Sequence, residues 1–126
     1  MSSPALIGRC IALLAAVAFV LPAAAQTCSS LSAYLEDVHA NYRPIDEHTD
    51  FAAAQDEVKQ LRLSLTQAAT AAQDCRCLQV FNGLMDAASF ARQAEAADNE
   101  KDFTYRLNRS ILSYNSALDL LNHCPH

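Results

Sequence analysis

Beyond residue 28 the apolar positions recur at steps of three and four, the period of a helix with one buried stripe, and the recurrence breaks at three places. Each unbroken stretch predicts a helix. The first opens at Ser29 or Ser30, whose hydroxyls can cap free N–H groups, and carries Leu31, Tyr34, Leu35, Val38 and Tyr42 on one face. Pro44 is expected to end it, because the residue before a proline is pushed out of helical backbone. Asp46 or Thr49 is then expected to cap a second helix, with a seam of Phe51, Ala54, Val58, Leu61, Leu65, Ala68, Ala72 and Cys75. Alternation this regular implies neighbours packed along its length at a shallow angle.

The second break is Asp74-Cys75-Arg76-Cys77. Continuing the seam by the same steps would land on Gln79, Asn82, Asp86 and Ser89, all polar, so the phase changes there. A tight turn is the reading, although neither glycine nor proline enforces it. One continuous helix of about 50 residues would instead extend roughly 70 Å, which a chain of this size could not cover. The third helix carries Leu78, Phe81, Leu84, Met85, Ala88 and Ala91. The third break, Asp98 to Asp102, offers Asn99 as the cap of a fourth helix with Phe103, Leu107, Ile111, Tyr114, Leu118 and Leu121, stopped by Pro125. No strand-like alternation of useful length interrupts this pattern. The fold class is all-α, an up-down four-helix bundle whose first helix is the shortest. Leu63, Phe90 and Leu120 fall off or widen the seams. Each broadens a buried stripe, or Leu63 and Phe90, if exposed together, centre a partner-binding surface.

The first 25 residues read differently. Arg9 supplies a short basic start, Ile11 to Leu21 is unbroken apolar sequence, Pro22 interrupts it, and Ala23 to Ala25 are the small residues a signal peptidase requires. The apolar run is short for a membrane span. Cleavage is expected before Gln26, giving a signal peptide over 1–25 and a single helical domain over 26–126. Ala25-Gln26-Thr27 before Cys28 is a poor lipobox, so no lipid anchor is expected. Of 9 basic and 14 acidic residues the leader removes only Arg9, leaving 8 basic and a net charge of −6. That balance disfavours nucleic acid and anionic membrane surfaces and favours a basic protein or a cation.

Cys10 leaves with the leader, and an even set remains: Cys28, Cys75, Cys77 and Cys124. In an exported chain of this length four cysteines read as two disulfides, useful where a small core buries a limited share of its surface. An up-down bundle brings all four to one end. A Cys75–Cys77 bridge is the least favoured, since disulfide geometry does not suit a one-residue spacer. Cys28–Cys75 with Cys77–Cys124, which closes each helical hairpin at its base, is favoured over Cys28–Cys77 with Cys75–Cys124. The alternative use of this end is metal binding, with Cys75, Cys77, His123 and His126 as soft ligands for copper or zinc.

The opposite end is acidic, with Asp46, Glu47 and Asp50 before the second helix and Asp98, Glu100 and Asp102 before the fourth. Such residues complement helix N-termini; they are also candidate contacts for a basic partner. Asp98-x-Glu100-x-Asp102 opens like a calcium loop, but Phe103 replaces the turn glycine and Arg109 the bidentate glutamate. His39 and His48 build no catalytic set, and no nucleophile elbow, phosphate loop, haem-attachment or zinc-protease motif is present. The expected function is an exported, extracytoplasmic (periplasmic or secreted) protein-binding module without catalysis or cofactor. Inhibitors, immunity proteins and stress chaperones share such architecture; an envelope metal-binding protein is the alternative.

Overall fold

The computed structural model describes residues 28–47 and 50–125, which form four α-helices: α1 (Leu31–Glu47), α2 (Phe51–Asp74), α3 (Leu78–Glu95) and α4 (Glu100–Asp119), with a 3₁₀ turn at Leu121–His123. The expected signal peptide, His48, Thr49 and His126 lie outside the described residues. No strand occurs among the described residues, and consecutive helices pack side by side in an up-down bundle. The α2 seam is the spine of the core. Val58, Leu61, Leu65, Ala68 and Ala72 are wholly buried, and Phe51 meets Phe103 of α4 with ring centroids 5.5 Å apart. Asn99 caps α4 as expected, its side-chain oxygen accepting from the Asp102 N–H at 2.8 Å.

Pro44 does not end α1. The helix runs through it for three further residues to Glu47. Proline withholds one N–H and crowds the preceding turn, at a cost of about 3 kcal/mol. The turn it would have broken carries Ile45, which is buried, and full burial of such a side chain returns about 1.5–3 kcal/mol. Because α1 consumes Asp46, the cap of α2 is Asp50, extended at φ −93° and ψ 122°, whose carboxylate accepts from the Ala52 N–H at 3.2 Å.

The turn between α2 and α3 is where the seam changes phase. Arg76 adopts φ 63°, the Arg76 N–H donates to Gln73 O at 3.0 Å, and the Cys77 N–H donates to Ala72 O at 2.8 Å. Those two bonds are a Schellman closure, which ordinarily places glycine at the left-handed position. An arginine there is strained by about 1–2 kcal/mol. Replacing it with glycine relieves that strain against a larger backbone entropy loss on folding. Arg76→Gly is therefore expected to raise stability by roughly 0.5–1 kcal/mol, measured by urea unfolding of the oxidised protein.

The buried face of α3 is the expected one at Leu84, Ala88 and Ala91 but not at Leu78 and Met85. Leu78 and Met85 are 59% and 42% exposed, Phe81 is half-buried, and the inward positions are Val80, Leu84, Ala87, Ala88, Ala91 and Ala94. α3 lies between α2 and α4, and close approach of the backbones selects small residues. A Cβ added at Gly83 would lie 2.7 Å from the Cβ of Ala117. The larger apolar side chains are displaced to the shoulder of the helix. On α1, Tyr34 is likewise 40% exposed, while Leu31, Leu35 and Val38 are buried.

Candidate functional site

The four cysteines meet at one end as Cys28–Cys75 and Cys77–Cys124, each bridging 47 positions and each closing one helical hairpin at its base. The Cys28 N–H also donates to Pro125 O at 3.0 Å, tying the two chain ends of the bundle together. Disulfides belong to an oxidising environment. Among the described residues, no helix is long and apolar enough to cross a membrane. The ligand set drawn from sequence does not assemble as such. Cys75 and Cys77 enter different bridges, His123 is exposed, and His126 lies outside the described residues.

At the opposite end the acidic residues have structural partners. Asp50 caps α2, and Asp102 pairs with Arg106 at 3.6 Å across one helical turn, while Asp98 and Glu100 are exposed. Asp46 and Glu47 close α1, and their side chains lie outside the described residues. Gln55, which the apolar pattern ignored, joins this end: its side-chain amide donates to Glu95 O at 3.1 Å and Ala97 O at 2.9 Å, satisfying carbonyls at and just past the end of α3. Leu63 and Phe90 differ in exposure. Phe90 is half-buried, with the Arg109 guanidinium of α4 5.2 Å from its ring centroid, whereas Leu63 of α2 is 42% exposed.

What the pattern missed is the seam between α1 and α4. Three of the bundle's lateral contacts are made by backbones packed closely, α1 with α2, α2 with α3, and α3 with α4; α1 meets α4 through side chains. Tyr42 and Tyr114 are wedged between them, ring centroids 5.2 Å apart. The Ser110 hydroxyl donates to Ala87 O at 2.8 Å, so its oxygen is left to accept from the Tyr42 hydroxyl at 3.0 Å. The Tyr114 hydroxyl donates to Leu35 O at 3.2 Å. Comparison with known protein families, curated proteins and solved structures finds no match. The chemistry of this seam must therefore be read from the seam itself.

Holding two helices apart with tyrosines leaves a groove. It measures about 590 Å³ and is floored by Leu35, Tyr114, Leu118 and Leu121, with Ala40 and Pro44 at one end and Glu36, His39 and Arg43 along its rim. A smaller hollow of about 320 Å³ shares Ser32, Leu35 and Leu121 with it and continues to Cys28 and Cys124. Together they run along α1 from the disulfide end to Pro44. Pro44 has no N–H to offer the Ala40 carbonyl, so that carbonyl lacks its usual helical donor beside the apolar floor. A second hollow of about 520 Å³, between the start of α1 and the end of α2, has Ser30, Gln67, Thr70 and Asp74 in its walls and lacks a comparable apolar floor.

Burial raises the Tyr42 phenol far above its ordinary value, the Ser110 hydrogen bond opposing this in part, and burial also raises Tyr114. An unfolded phenol releases its proton near pH 10, whereas the buried phenol holds it. Above about pH 10 the unfolded chain therefore binds fewer protons than the folded one, and stability falls as pH rises, by up to about 1.4 kcal/mol per unit for Tyr42. Tyr42→Phe is expected to cost about 1 kcal/mol at neutral pH, through the lost bond to Ser110, and to flatten the alkaline slope. Urea unfolding of both proteins between pH 7 and 11 measures the two effects; an unchanged slope would remove Tyr42 as its source.

Proposed function

We propose that the protein is an extracytoplasmic protein-binding module without chemistry of its own, exported by cleavage before Gln26, which grips an apolar segment of its partner between α1 and α4. The observation that carries this reading is the groove itself. Half-buried Leu118 and Leu121 lie in its floor beside Leu35 and Tyr114, so four apolar or aromatic side chains line one open groove. Clustered apolar and aromatic side chains within a polar rim are the usual centre of a binding surface. The rim offers both signs of charge, from Glu36 and Arg43, for orienting the segment. The acidic balance of the chain favours a partner with basic flanks around that segment. An inhibitor or immunity-like role and a chaperone-like role both use such a groove, the first for one partner and the second for many.

The test is capture by the oxidised protein from a native envelope fraction, compared across variants. A stoichiometric partner is expected to bind the parent and Leu63→Gln, which alters an exposed position away from the groove. It is expected to be lost from Leu118→Gln and from Leu121→Gln, both checked for a retained helical spectrum. Binding that survives both groove substitutions would place any partner elsewhere and overturn the reading.

A further inference from the structure

The sulfur cluster at the base of the bundle is a chemistry-bearing group for which the groove has no use. The sulfurs of Cys28, Cys77 and Cys124 lie within 4.8 Å of one another although they belong to two bridges, and the sulfur of Cys75 is bonded to that of Cys28. Two separate staples would serve the fold equally well from opposite sides of the base. Here they converge on one point. A tetrahedral zinc–thiolate centre has Zn–S bonds of about 2.3 Å and therefore sulfur–sulfur edges of about 3.8 Å. Opening both bridges lets Cys77 part from Cys124, and Cys75 from Cys28, by about 1.8 Å each to reach that edge, while Cys28 closes on Cys77 and Cys124 by at most about 1 Å.

Cys77 is the N-cap of α3 and its side chain makes no capping bond, and the Cys28 carbonyl accepts the Leu31 N–H at the start of α1. Cys77 thus stands at a helix N-terminus, where the positive end of the helix dipole favours nearby negative charge. Cys75, Cys77 and Cys124 are buried while Cys28 is half-buried, which gives a dry site with one open corner. The exposed Arg76 between Cys75 and Cys77 brings a positive charge to a centre that would carry two negative ones.

We infer that, before its cysteines are oxidised, the base of this bundle is a four-thiolate zinc site made by Cys28, Cys75, Cys77 and Cys124, and that zinc and the two disulfides are alternative staples of the same end. Four Zn–S bonds form as four thiol protons are released. When two external disulfides oxidise the site, they accept the electrons and leave as four thiolates, two internal bridges form, and the zinc ion departs. Four sulfurs at tetrahedral corners suit zinc, and the site needs neither His123 nor His126.

The experiment uses the processed full chain, reduced with a phosphine, desalted without oxygen and titrated with cobalt(II) and then zinc(II). The expected result is a tetrahedral thiolate–cobalt spectrum that saturates at one equivalent and is abolished by one equivalent of zinc. Far-ultraviolet circular dichroism followed in the same titration should show helix retained, or regained if the reduced chain is unfolded. Cys28→Ser and Cys124→Ser, one from each bridge, should each lose the four-sulfur spectrum, and the oxidised protein should give none. Absence of the spectrum at one equivalent, its survival in both variants, or its formation without helical structure would overturn the proposal. The groove reading is tested on the oxidised protein, so either can fail alone.

Discussion

Reducing both disulfides in the absence of metal is expected to cost the folded protein about 8 kcal/mol, and opening either one by paired Cys→Ser substitution about 4 kcal/mol. The arithmetic follows from topology. Each bridge spans 47 positions, and the two loops lie end to end along the chain without overlapping. Closing one does not shorten the other, so their constraints on the unfolded chain add. The crossed pairing, Cys28–Cys77 with Cys75–Cys124, would have overlapped at the turn and lost part of that independence. Stability of small domains is itself about 5–15 kcal/mol, so the doubly reduced chain should be poised near its unfolding midpoint. For a domain of this size each 1 kcal/mol moves the melting temperature by about 4–8 °C, so one bridge corresponds to a fall of at least about 15 °C. Urea unfolding of the parent, Cys28→Ser/Cys75→Ser and Cys77→Ser/Cys124→Ser measures this directly. A loss below about 2 kcal/mol for both pairs would mean that the core alone holds the bundle.

The same two loops explain why so much of this fold was legible from the chain. A seam that alternates steps of three and four from Phe51 to Cys75 has one way to bury itself, along a neighbouring helix, and every position from Ala54 onward in that seam is buried. The cysteines were legible for the same reason: an up-down bundle places helix ends of alternate sense together, and the residues at those ends were cysteines. The remaining features depend on distances between helices, which periodicity does not carry. Close approach at Gly83 turns the alanine side of α3 inward and leaves Leu78 and Met85 outside, so the expected face held at Leu84, Ala88 and Ala91 and failed at those two larger side chains. Ile45 carries α1 through Pro44 because of burial that only the tertiary fold supplies. The groove is likewise a product of spacing. Tyr42 and Tyr114 read as two ordinary seam residues, and only their meeting across the bundle shows that α1 is held off α4. The acidic residues were visible as charges, but their engagement as a cap at Asp50 and a pair at Asp102 needed coordinates.

Gly83→Ala should destabilise the protein by about 1–2 kcal/mol, opposite in sign to what helix propensity alone predicts. In an isolated helix the change would be favourable by up to about 1 kcal/mol, because alanine restricts the unfolded chain and glycine does not. In this bundle the new methyl would lie 2.7 Å from the Cβ of Ala117 and 3.2 Å from its Cα. Carbon atoms need about 3.5–4.0 Å, so α3 and α4 must separate. The contact with the Ala117 Cβ is the shortest, and a methyl attached directly to the main chain cannot rotate away as a longer side chain can. Separation would also loosen the seat of Ser110, whose hydroxyl reaches the α3 carbonyl of Ala87 at 2.8 Å and carries the Tyr42 bond on its other side. The decisive measurement is a double-mutant cycle. Ala117→Gly alone should lose about 1 kcal/mol through propensity. Combined with Gly83→Ala it restores the small-against-methyl pairing with the partners exchanged, and the pair should be more stable than the sum of the single changes by at least about 1 kcal/mol. Additive single effects, or a stabilising Gly83→Ala, would show that α3 and α4 are not closely packed at Gly83.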